Sequence, residues 1–341
     1  MFGALPEFRD LSTWFAWVTW LKSLYGLPLD ESELALFQKC TARTRPPTKE
    51  PKESATIVGR RGGKSKMAAL VGAFTAAFID FKPYLSTGER PMVLVLARDK
   101  EQAKVVLGYL TGILRAIPAL EAKIVSESGD ELELDNGVIV CVKTSDFRAV
   151  RGITVVCAIC DEVAFWNFDS DSANPDTEVI RAVRPAMATI ATAKLILIST
   201  GYAMAGVLFD LHKTHYGKDD SPVLVWQAPT VIMNPRISQE FIDEQIELDP
   251  EAGRSEWGGL FREDISMAFP LELIEQCIVP GRVELPYAKA VQYKSFDDPM
   301  GGRGDSWAKC IAHKQGDKVI VDLVRAWPPG MSVHDIAEQS A

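Results

Sequence analysis

The segment that most constrains the fold is residues 56–70, TIVGRRGGKSKMAAL. A short apolar run leads into a glycine-rich turn, and a helix-forming run follows it. Phosphate-binding loops of the form G-x-x-x-x-G-K-[ST] lie at such strand-to-helix junctions, where backbone N–H groups face the phosphate. Gly63, Lys64 and Ser65 match the end of the motif, but the front glycine, Gly59, comes one position late. We interpret the segment as a phosphate loop with an altered front end.

The residue types in this loop suit a nucleotide with magnesium. Glycine lets the backbone approach phosphate oxygens, Lys64 can reach the β- and γ-phosphates, and the hydroxyl of Ser65 can bind Mg²⁺. The predicted nucleotide-binding residues of the loop are Gly59, Arg60, Arg61, Gly62, Gly63, Lys64 and Ser65. The alternative is a glycine-rich helix N-terminus that carries solvent-facing basic residues.

A second motif ends another apolar run, VVCAICDEVAF. Asp161 is predicted to orient the metal and Glu162 to act as the general base that activates water. The alternative is an ordinary strand end with two solvated acids. Because the carboxyl ends of parallel strands meet at one edge of a sheet, this motif and the phosphate loop are expected to lie together.

Four apolar runs alternate with helical patterns and predict an α/β fold, a mostly parallel sheet flanked by helices. The predicted strands cover residues 55–59, 92–97, 153–160 and 193–199. A hairpin is predicted over residues 130–144, with Asn136-Gly137 as a type I′ turn.

A length of 341 residues predicts more than one domain. Residues 1–54 read as a helical segment followed by an exposed basic connector, and residues 55–265 as the α/β domain. A linker is predicted over 266–290, and three strand-like runs with a final helix over 291–341.

Composition limits other readings. The net charge of −9 counts against a protein that coats nucleic acid, so any DNA contact needs local basic clusters or a ring of subunits. Cys157 and Cys160 form a C-x-x-C within an apolar run, which favours buried strand cysteines over zinc. No apolar run reaches the ~18 residues of a membrane span. The tryptophans at 14, 17 and 20 are expected to pack between helices, with an adenine pocket or partner surface as the alternative.

The order of these motifs resembles the large terminase subunit of tailed bacteriophages. The shared order is VGRRGGKS, LELDNGVIV, the Arg151-Gly152 pair, CAICDE and LILISTGY. The resemblance runs from about residue 55 to the end of the chain. In that family the phosphate loop commonly carries arginine ahead of G-K-S, which accounts for the altered front end.

The resemblance implies roles for further residues. Gly63, Lys64 and Ser65 match the Walker A motif of a P-loop NTPase, and Asp161 and Glu162 match Walker B. Ser199 and Thr200 match a coupling segment that senses the γ-phosphate and moves a lid over about 205–265; a plain helix N-cap is the alternative. Arg151 matches an arginine finger that acts on a neighbouring subunit, with Arg148 and Arg60 as competitors.

The C-terminal segment FDDPMGGRGDSW resembles the opening of the family's RNase H-like nuclease domain. This implies that Asp298 is a metal ligand, with Asp297 as its competitor, and that Asp305 is a recurring acid. A glycine-rich acidic turn is the alternative. Because the chain ends at Ala341, before further carboxylates, we expect an incomplete nuclease domain that does not cleave DNA.

The resemblance therefore implies an ATP-hydrolysing motor subunit that packages the viral genome. ATP and Mg²⁺ are its expected cofactors, with a divalent metal for a complete nuclease domain. The expected partners are double-stranded viral DNA, a portal ring, a terminase small subunit and further copies in a ring on the procapsid, with no membrane, in the bacterial host cytoplasm. Basic loops at 43–45 and 49–52 are expected to face DNA. A helicase- or translocase-type DNA-dependent ATPase and a non-catalytic nucleotide-binding assembly module are the alternatives.

Overall fold

The computed structural model describes residues 3, 5–166, 176–262, 276–298, 306–328 and 331–340. The chain divides into two compact units, Met1–Ser266 and Met267–Ala341. None of the helices in the described ranges is long and apolar enough to cross a membrane.

The first unit contains ten helices and eight strands within its described residues. The helices are α1 Phe15–Leu24, α2 Glu31–Thr41, α3 Lys64–Phe78, α4 Lys100–Arg115, α5 Pro118–Glu121, α6 Asp176–Ala186, α7 Gly206–His215, α8 Thr230–Met233, α9 Gln239–Leu248 and α10 Pro250–Gly258. The strands are β1 Glu53–Val58, β2 Pro91–Ala97, β3 Ile124–Glu127, β4 Glu131–Leu134, β5 Ile139–Thr144, β6 Thr154–Asp161, β7 Lys194–Ser199 and β8 Val223–Ala228.

These strands form one sheet in the order β3-β4-β5-β2-β6-β7-β1-β8. The strands from β5 to β8 run parallel, whereas β3 and β4 add an antiparallel edge. The central strands are buried on both faces, which is why they read as unbroken Val, Ile and Leu runs rather than as an alternating pattern. The predicted α/β class with a mostly parallel sheet is confirmed.

The arrangement at the centre of the sheet positions the two motifs. β7 lies between β1, which leads into the phosphate loop, and β6, which ends in the acid pair. All three strands are parallel, so their carboxyl ends share one edge. β8, which lies within the region predicted as a lid, pairs with β1 and belongs to the main sheet. We therefore reserve the term lid segment for α8–α10.

Tryptophans of α1 belong to the core. Trp17 and Trp20 are both fully buried and their rings meet edge to face. The expected packing role is confirmed for these two residues, and an adenine pocket formed by them is excluded because no ligand could reach their rings. Cys157 and Cys160 are likewise buried within β6, as expected, and burial raises the pKa of the Cys157 thiol to about 12.

The connector after α2 differs from the prediction of an exposed basic segment. Arg43 is only 2% exposed, and its guanidinium donates to the carbonyl oxygen of Val223 at the start of β8. Arg45 is exposed but pairs with Asp220. The physical reason is that β8 is an edge strand, whose outward carbonyls attract donors from the connector. Arg43 is therefore unsuited to contact DNA.

The hairpin between β4 and β5 forms as predicted, but its turn is not type I′. A type I′ turn requires positive φ at both central residues, and of Asn136 and Gly137 only the glycine has it, at φ 85°. The amide of Leu134 donates to the carbonyl of Val138 (3.0 Å), which encloses a three-residue loop. The side chain of Asn136 instead donates to the carbonyl oxygen of Ala76 in α3 (2.8 Å).

The second unit contains a three-stranded antiparallel sheet, as the hairpin spacing predicts. Its strands are β9 Tyr293–Asp298, β10 Trp307–Gln315 and β11 Lys318–Trp327, in the order β11-β10-β9, and they are followed by α11 Val333–Ser340. Part of the predicted linker runs along this sheet, because Glu284 forms a β-bridge with Leu323.

Candidate active site

The phosphate loop joins β1 to α3 in a tightly packed turn. Gly63 caps the N-terminus of α3 with φ 95°, a conformation that glycine adopts without strain. Gly59 is required for a different reason. A Cβ atom there would lie 2.3 Å from the hydroxyl of Thr230 and 2.4 Å from the carbonyl oxygen of Trp257. The late glycine thus allows the lid segment to approach the loop, which the sequence pattern did not indicate.

Lys64 points back into the loop and is 5% exposed. Its ammonium donates to the carbonyl oxygen of Val58 (3.0 Å) and lies 3.7 Å from Oε1 of Glu162. Burial lowers the pKa of Lys64, whereas the carboxylates of Glu162 and Asp161 oppose that shift. The two predicted motifs therefore meet at the same edge of the sheet.

Ser65 and Asp161 form the second contact between the motifs. The hydroxyl of Ser65 lies 3.2 Å from Oδ1 of Asp161, which is 3% exposed. Burial and then repulsion from Glu162 raise the pKa of Asp161 to about 7, although Lys64 and Ser65 oppose this. Two acids therefore share this site with one lysine, and additional positive charge would stabilise both carboxylates.

This donor set fits Mg²⁺. A hydroxyl and a carboxylate oxygen converge, and magnesium favours hard oxygen ligands from one or two protein groups, completed by water and phosphate oxygens. No group of three or more His, Cys, Asp or Glu side chains placed to hold a metal occurs among the described residues. The site therefore suits an ion that arrives with a phosphate rather than an ion enclosed by protein ligands.

Glu162 has a left-handed backbone conformation, φ 50° and ψ 46°. For a residue with a Cβ atom this costs about 1–2 kcal/mol. Its Oε2 accepts hydrogen bonds from the hydroxyl of Ser199 (3.0 Å) and the amide of Thr200 (3.3 Å). The backbone turn brings the carboxylate between the end of β7 and Lys64, a constraint that cannot be read from the Asp-Glu pair alone.

Ser199 and Thr200, the predicted coupling segment, are both buried at the end of β7. The chain that follows them packs against the lid segment and the residues after it. The carbonyl of Gly201 accepts from the hydroxyl of Ser255 in α10 (2.6 Å), and a Cβ at Gly201 would lie 2.1 Å from the carbonyl oxygen of Leu260. A continuous set of contacts thus leads from Glu162 to α10.

The lid segment also contacts the phosphate loop directly. The amide of Arg60 donates to the carbonyl of Glu256 (2.5 Å), and its guanidinium pairs with the same residue's carboxylate (2.9 Å). Thr230 and Asn234 donate to the carbonyls of Arg60 and Arg61 (2.7 and 2.8 Å). Sequence reasoning missed these contacts because the partners lie far apart in the chain and match no motif.

Arg151 is not brought into this site. It precedes the amino end of β6, whereas Asp161 ends that strand, and at about 3.3 Å per residue the strand alone spans roughly 23 Å. Of its competitors, Arg148 is paired with Asp146 and Arg60 with Glu256. Action of Arg151 on a neighbouring subunit stays a prediction, since within its own subunit the distance is too great.

The predicted nuclease residues are only partly described. Asp298 ends β9 and is exposed, and Asp297 accepts from the indole N–H of Trp307 (3.3 Å). Asp305 lies outside the described residues. The predicted metal-binding role of Asp298 therefore stays a prediction.

Comparisons with known proteins identify the fold. No family model and no curated protein matches the sequence. The large terminase of bacteriophage HK97 matches with a TM-score of 0.51 and 19% identity, over 89% of this chain and 63% of its own length. The Thermus phage P74-26 large terminase ATPase domain matches at 0.48 and 18%, over 70% of this chain and 96% of its own.

The large terminase of a thermophilic bacteriophage, in complex with ADP, matches at 0.46 and 12%, over 94% of this chain and 72% of its own. The chain spans 63% of the length of the HK97 protein, so the comparison covers part of that terminase. The chain has the fold of a bacteriophage large terminase, as the resemblance in its sequence predicts.

Proposed function

We propose that the protein is an ATP-hydrolysing motor subunit that drives packaging of viral DNA into procapsids. One observation carries the proposal. Lys64 lies 3.7 Å from Glu162, and Ser65 lies 3.2 Å from Asp161, at the carboxyl edge of a parallel sheet. A nucleoside triphosphatase needs a phosphate cradle, a metal site and a base to meet in one place, and these four residues supply them.

ATP binds with its phosphates at the N-terminus of α3. The first amides of the helix have no intrahelical partner, and together with the positive end of the helix dipole they favour an anion. Lys64 reaches the β- and γ-phosphates from within the loop. Ser65 and Asp161 hold Mg²⁺, which neutralises negative charge on the phosphates when it is bound.

Glu162 is the general base. A water molecule attacks the γ-phosphorus, Glu162 accepts a proton from that water, and the bond from the γ-phosphorus to the bridging oxygen breaks, so that ADP and phosphate leave. Two donors hold Oε2, the hydroxyl of Ser199 and the amide of Thr200. They orient the carboxylate so that Oε1 is directed toward Lys64 and the position of the γ-phosphate.

Coupling to movement begins at the same carboxylate. Loss of the γ-phosphate changes the charge beside Glu162, and its hydrogen bonds to Ser199 and Thr200 respond. The next residue, Gly201, is bonded to Ser255 of α10, and Glu256 of α10 is bonded to Arg60 of the phosphate loop. The lid segment is therefore attached to both ends of the site and is the element that moves.

A ring of subunits completes the site. Arg151 lies on the edge of the sheet opposite its own phosphate loop, which suits action on a neighbouring subunit. An arginine of this kind typically contributes ~10³–10⁵ in rate, so the isolated subunit is a weak ATPase. We propose DNA, a portal ring and a terminase small subunit as partners, and a role for Asp298 in a divalent-metal site of a DNA endonuclease domain.

The test is ATP turnover measured as protein concentration rises, with and without double-stranded DNA. Turnover per subunit that increases with concentration and DNA, and that Lys64→Ala abolishes, supports the motor. ATP binding without turnover at any concentration instead supports a non-catalytic assembly module. DNA-dependent turnover in a protein that never associates with portal rings supports a helicase- or translocase-type ATPase.

A further inference from the structure

We propose that Trp17, Thr230 and Asn234 are positioning residues that shape the phosphate loop for anion binding. The inference rests on the proposed function and adds to it residues that no motif contains. Three consecutive loop carbonyls accept hydrogen bonds from outside the loop. Thr230 Oγ1 donates to Arg60 (2.7 Å), Asn234 Nδ2 to Arg61 (2.8 Å) and Trp17 Nε1 to Gly62 (2.7 Å).

These bonds determine the direction of the loop amides. A trans peptide unit is planar, so its carbonyl and the N–H of the following residue point in opposite directions. Holding the carbonyls of Arg60 and Gly62 therefore directs the N–H groups of Arg61 and Gly63 away from the side chains that hold them. The intervening N–H, that of Gly62, donates to the carbonyl of Gly59 within the turn (3.1 Å). Successive amides oriented in this way form an anion-binding concavity.

Trp17 controls the most demanding of these peptides. Its indole is fully buried, so rotation of the Gly62–Gly63 peptide would leave a buried N–H without a partner, which is unfavourable. A Cβ atom at Gly63 would lie 3.2 Å from the indole nitrogen, and Gly63 has φ 95°. The indole and the glycine therefore fit together, and each restricts the conformations open to the loop.

Thr230 and Asn234 hold the loop from the side of the lid segment. Thr230 begins α8 and is fully buried, whereas Asn234 follows its last residue and is partly exposed. The loop is thus held by α1 on one side and by α8 on the other. A loop already in its binding conformation loses less freedom when an anion binds, and this raises affinity.

The effect of these residues should scale with the phosphates of the ligand and not with its base. The amides they orient would contact phosphate oxygens, so ATP, ADP and pyrophosphate depend on them to the same degree. A residue that merely stabilised the fold would not produce such a pattern. This distinction makes pyrophosphate the most informative probe.

The experiment uses Trp17→Phe in the full chain, which removes the N–H and keeps an aromatic ring. Trp20→Phe is the matched control, because Trp20 lies on the same helix, is equally buried and donates to Thr56 of β1 rather than to the loop (3.1 Å). Calorimetry gives Kd for ATP, ADP and pyrophosphate in the presence of Mg²⁺, and Tm is measured alongside. We expect Trp17→Phe to raise all three Kd values about tenfold, and Trp20→Phe to change them less than about twofold even if Tm falls equally.

Asn234→Ala provides a second variant that does not disturb the core. We expect it to raise the same Kd values severalfold while Tm stays unchanged. Equal weakening by both tryptophan variants, unchanged Kd values in Trp17→Phe and Asn234→Ala, or loss of ATP binding with intact pyrophosphate binding would each overturn the inference. If the wild-type protein binds none of the three ligands, the proposed function fails and this inference fails with it.

Discussion

Two pairs of adjacent acids end strands in this protein, and they lie in contrasting surroundings. Asp161 and Glu162 end β6, where Asp161 is 3% exposed and burial raises its pKa to about 7. Asp297 and Asp298 end β9, and both are exposed. The first pair contacts Lys64, Ser65 and Ser199, whereas Asp297 contacts Ser295 and Trp307.

The difference follows from the position of each strand in its sheet. β6 lies between β2 and β7 in a parallel sheet that is covered on both faces, whereas β9 is an edge strand of a three-stranded sheet. A carboxylate surrounded by protein loses solvation, so neighbouring charges act on it strongly, but one in water is screened from them. The same local motif is therefore suited to chemistry in one unit, and in the other it resembles an ordinary surface turn.

The largest expected effect that would test this contrast is at Lys64. We expect Lys64→Ala to reduce ATP turnover by about 10³-fold or more, because the lysine that contacts the buried acid pair would be lost along with the phosphate ligand. Turnover in the assembled ring is the measurement. Lys82→Ala, at an exposed lysine beyond α3, is the control and should leave turnover unchanged. A variant at Lys64 with normal turnover would remove the basis for the site.

Glu162→Gln should reduce kcat on the order of 10²-fold, because an amide accepts no proton from the attacking water. The shape of the side chain and its bonds to Ser199 and Thr200 are largely retained, so the Kd for ATP should stay within about twofold. The kcat and the Kd are measured separately on the same preparation. Weakened ATP binding with an unchanged kcat would contradict the role of general base.

Gly59→Ala tests how densely the first acid pair's surroundings are packed. The added Cβ would meet Thr230 and the carbonyl of Trp257 at less than normal contact distance, and such overpacking costs about 1–3 kcal/mol of unfolding free energy. Gly108→Ala in α4 is the matched control, since nothing lies within 4 Å of a Cβ there. In a helix it should stabilise the protein by about 0.5–1 kcal/mol. Chemical denaturation measures both, and effects of the same sign would contradict the packing argument.

Asp298→Asn should have the smallest effect. An exposed carboxylate at the end of an edge strand contributes little, so ATP turnover should not change and the unfolding free energy should stay within about 0.5 kcal/mol. Turnover and denaturation are measured beside Asp161→Asn, which we expect to impair turnover severely. A large loss of ATP turnover in Asp298→Asn would end the contrast between the two acid pairs.

Much of the fold could be predicted from short-range patterns. The central strands are recognisable because burial on both faces demands continuous apolar runs, and the turn at Gly62-Gly63 marks a strand-to-helix junction. The shared edge of the two motifs follows from parallel strand direction. The hairpin turn could not be predicted in detail, because Asn136 uses its side chain to bond with α3 rather than to adopt a left-handed backbone.

The candidate site was predictable at its motifs and hidden elsewhere. Arg43 looked like part of an exposed basic connector and is instead buried against β8. Trp17 and Asn234 carry no local sign of their contacts with the phosphate loop, from which they lie 45 and 173 residues away in the chain. Such pairs become visible only when the chain has folded.

The sequence by itself determined which residues form the turn, which acids end the strands and that both face one edge, since these depend on patterns within a few residues. Tertiary structure alone decided that Asp161 loses its solvent, that Glu162 adopts a left-handed backbone and that three distant side chains hold the loop. The physical reason is that desolvation and loop orientation depend on all the elements packed around the site, so no single segment of the chain encodes them.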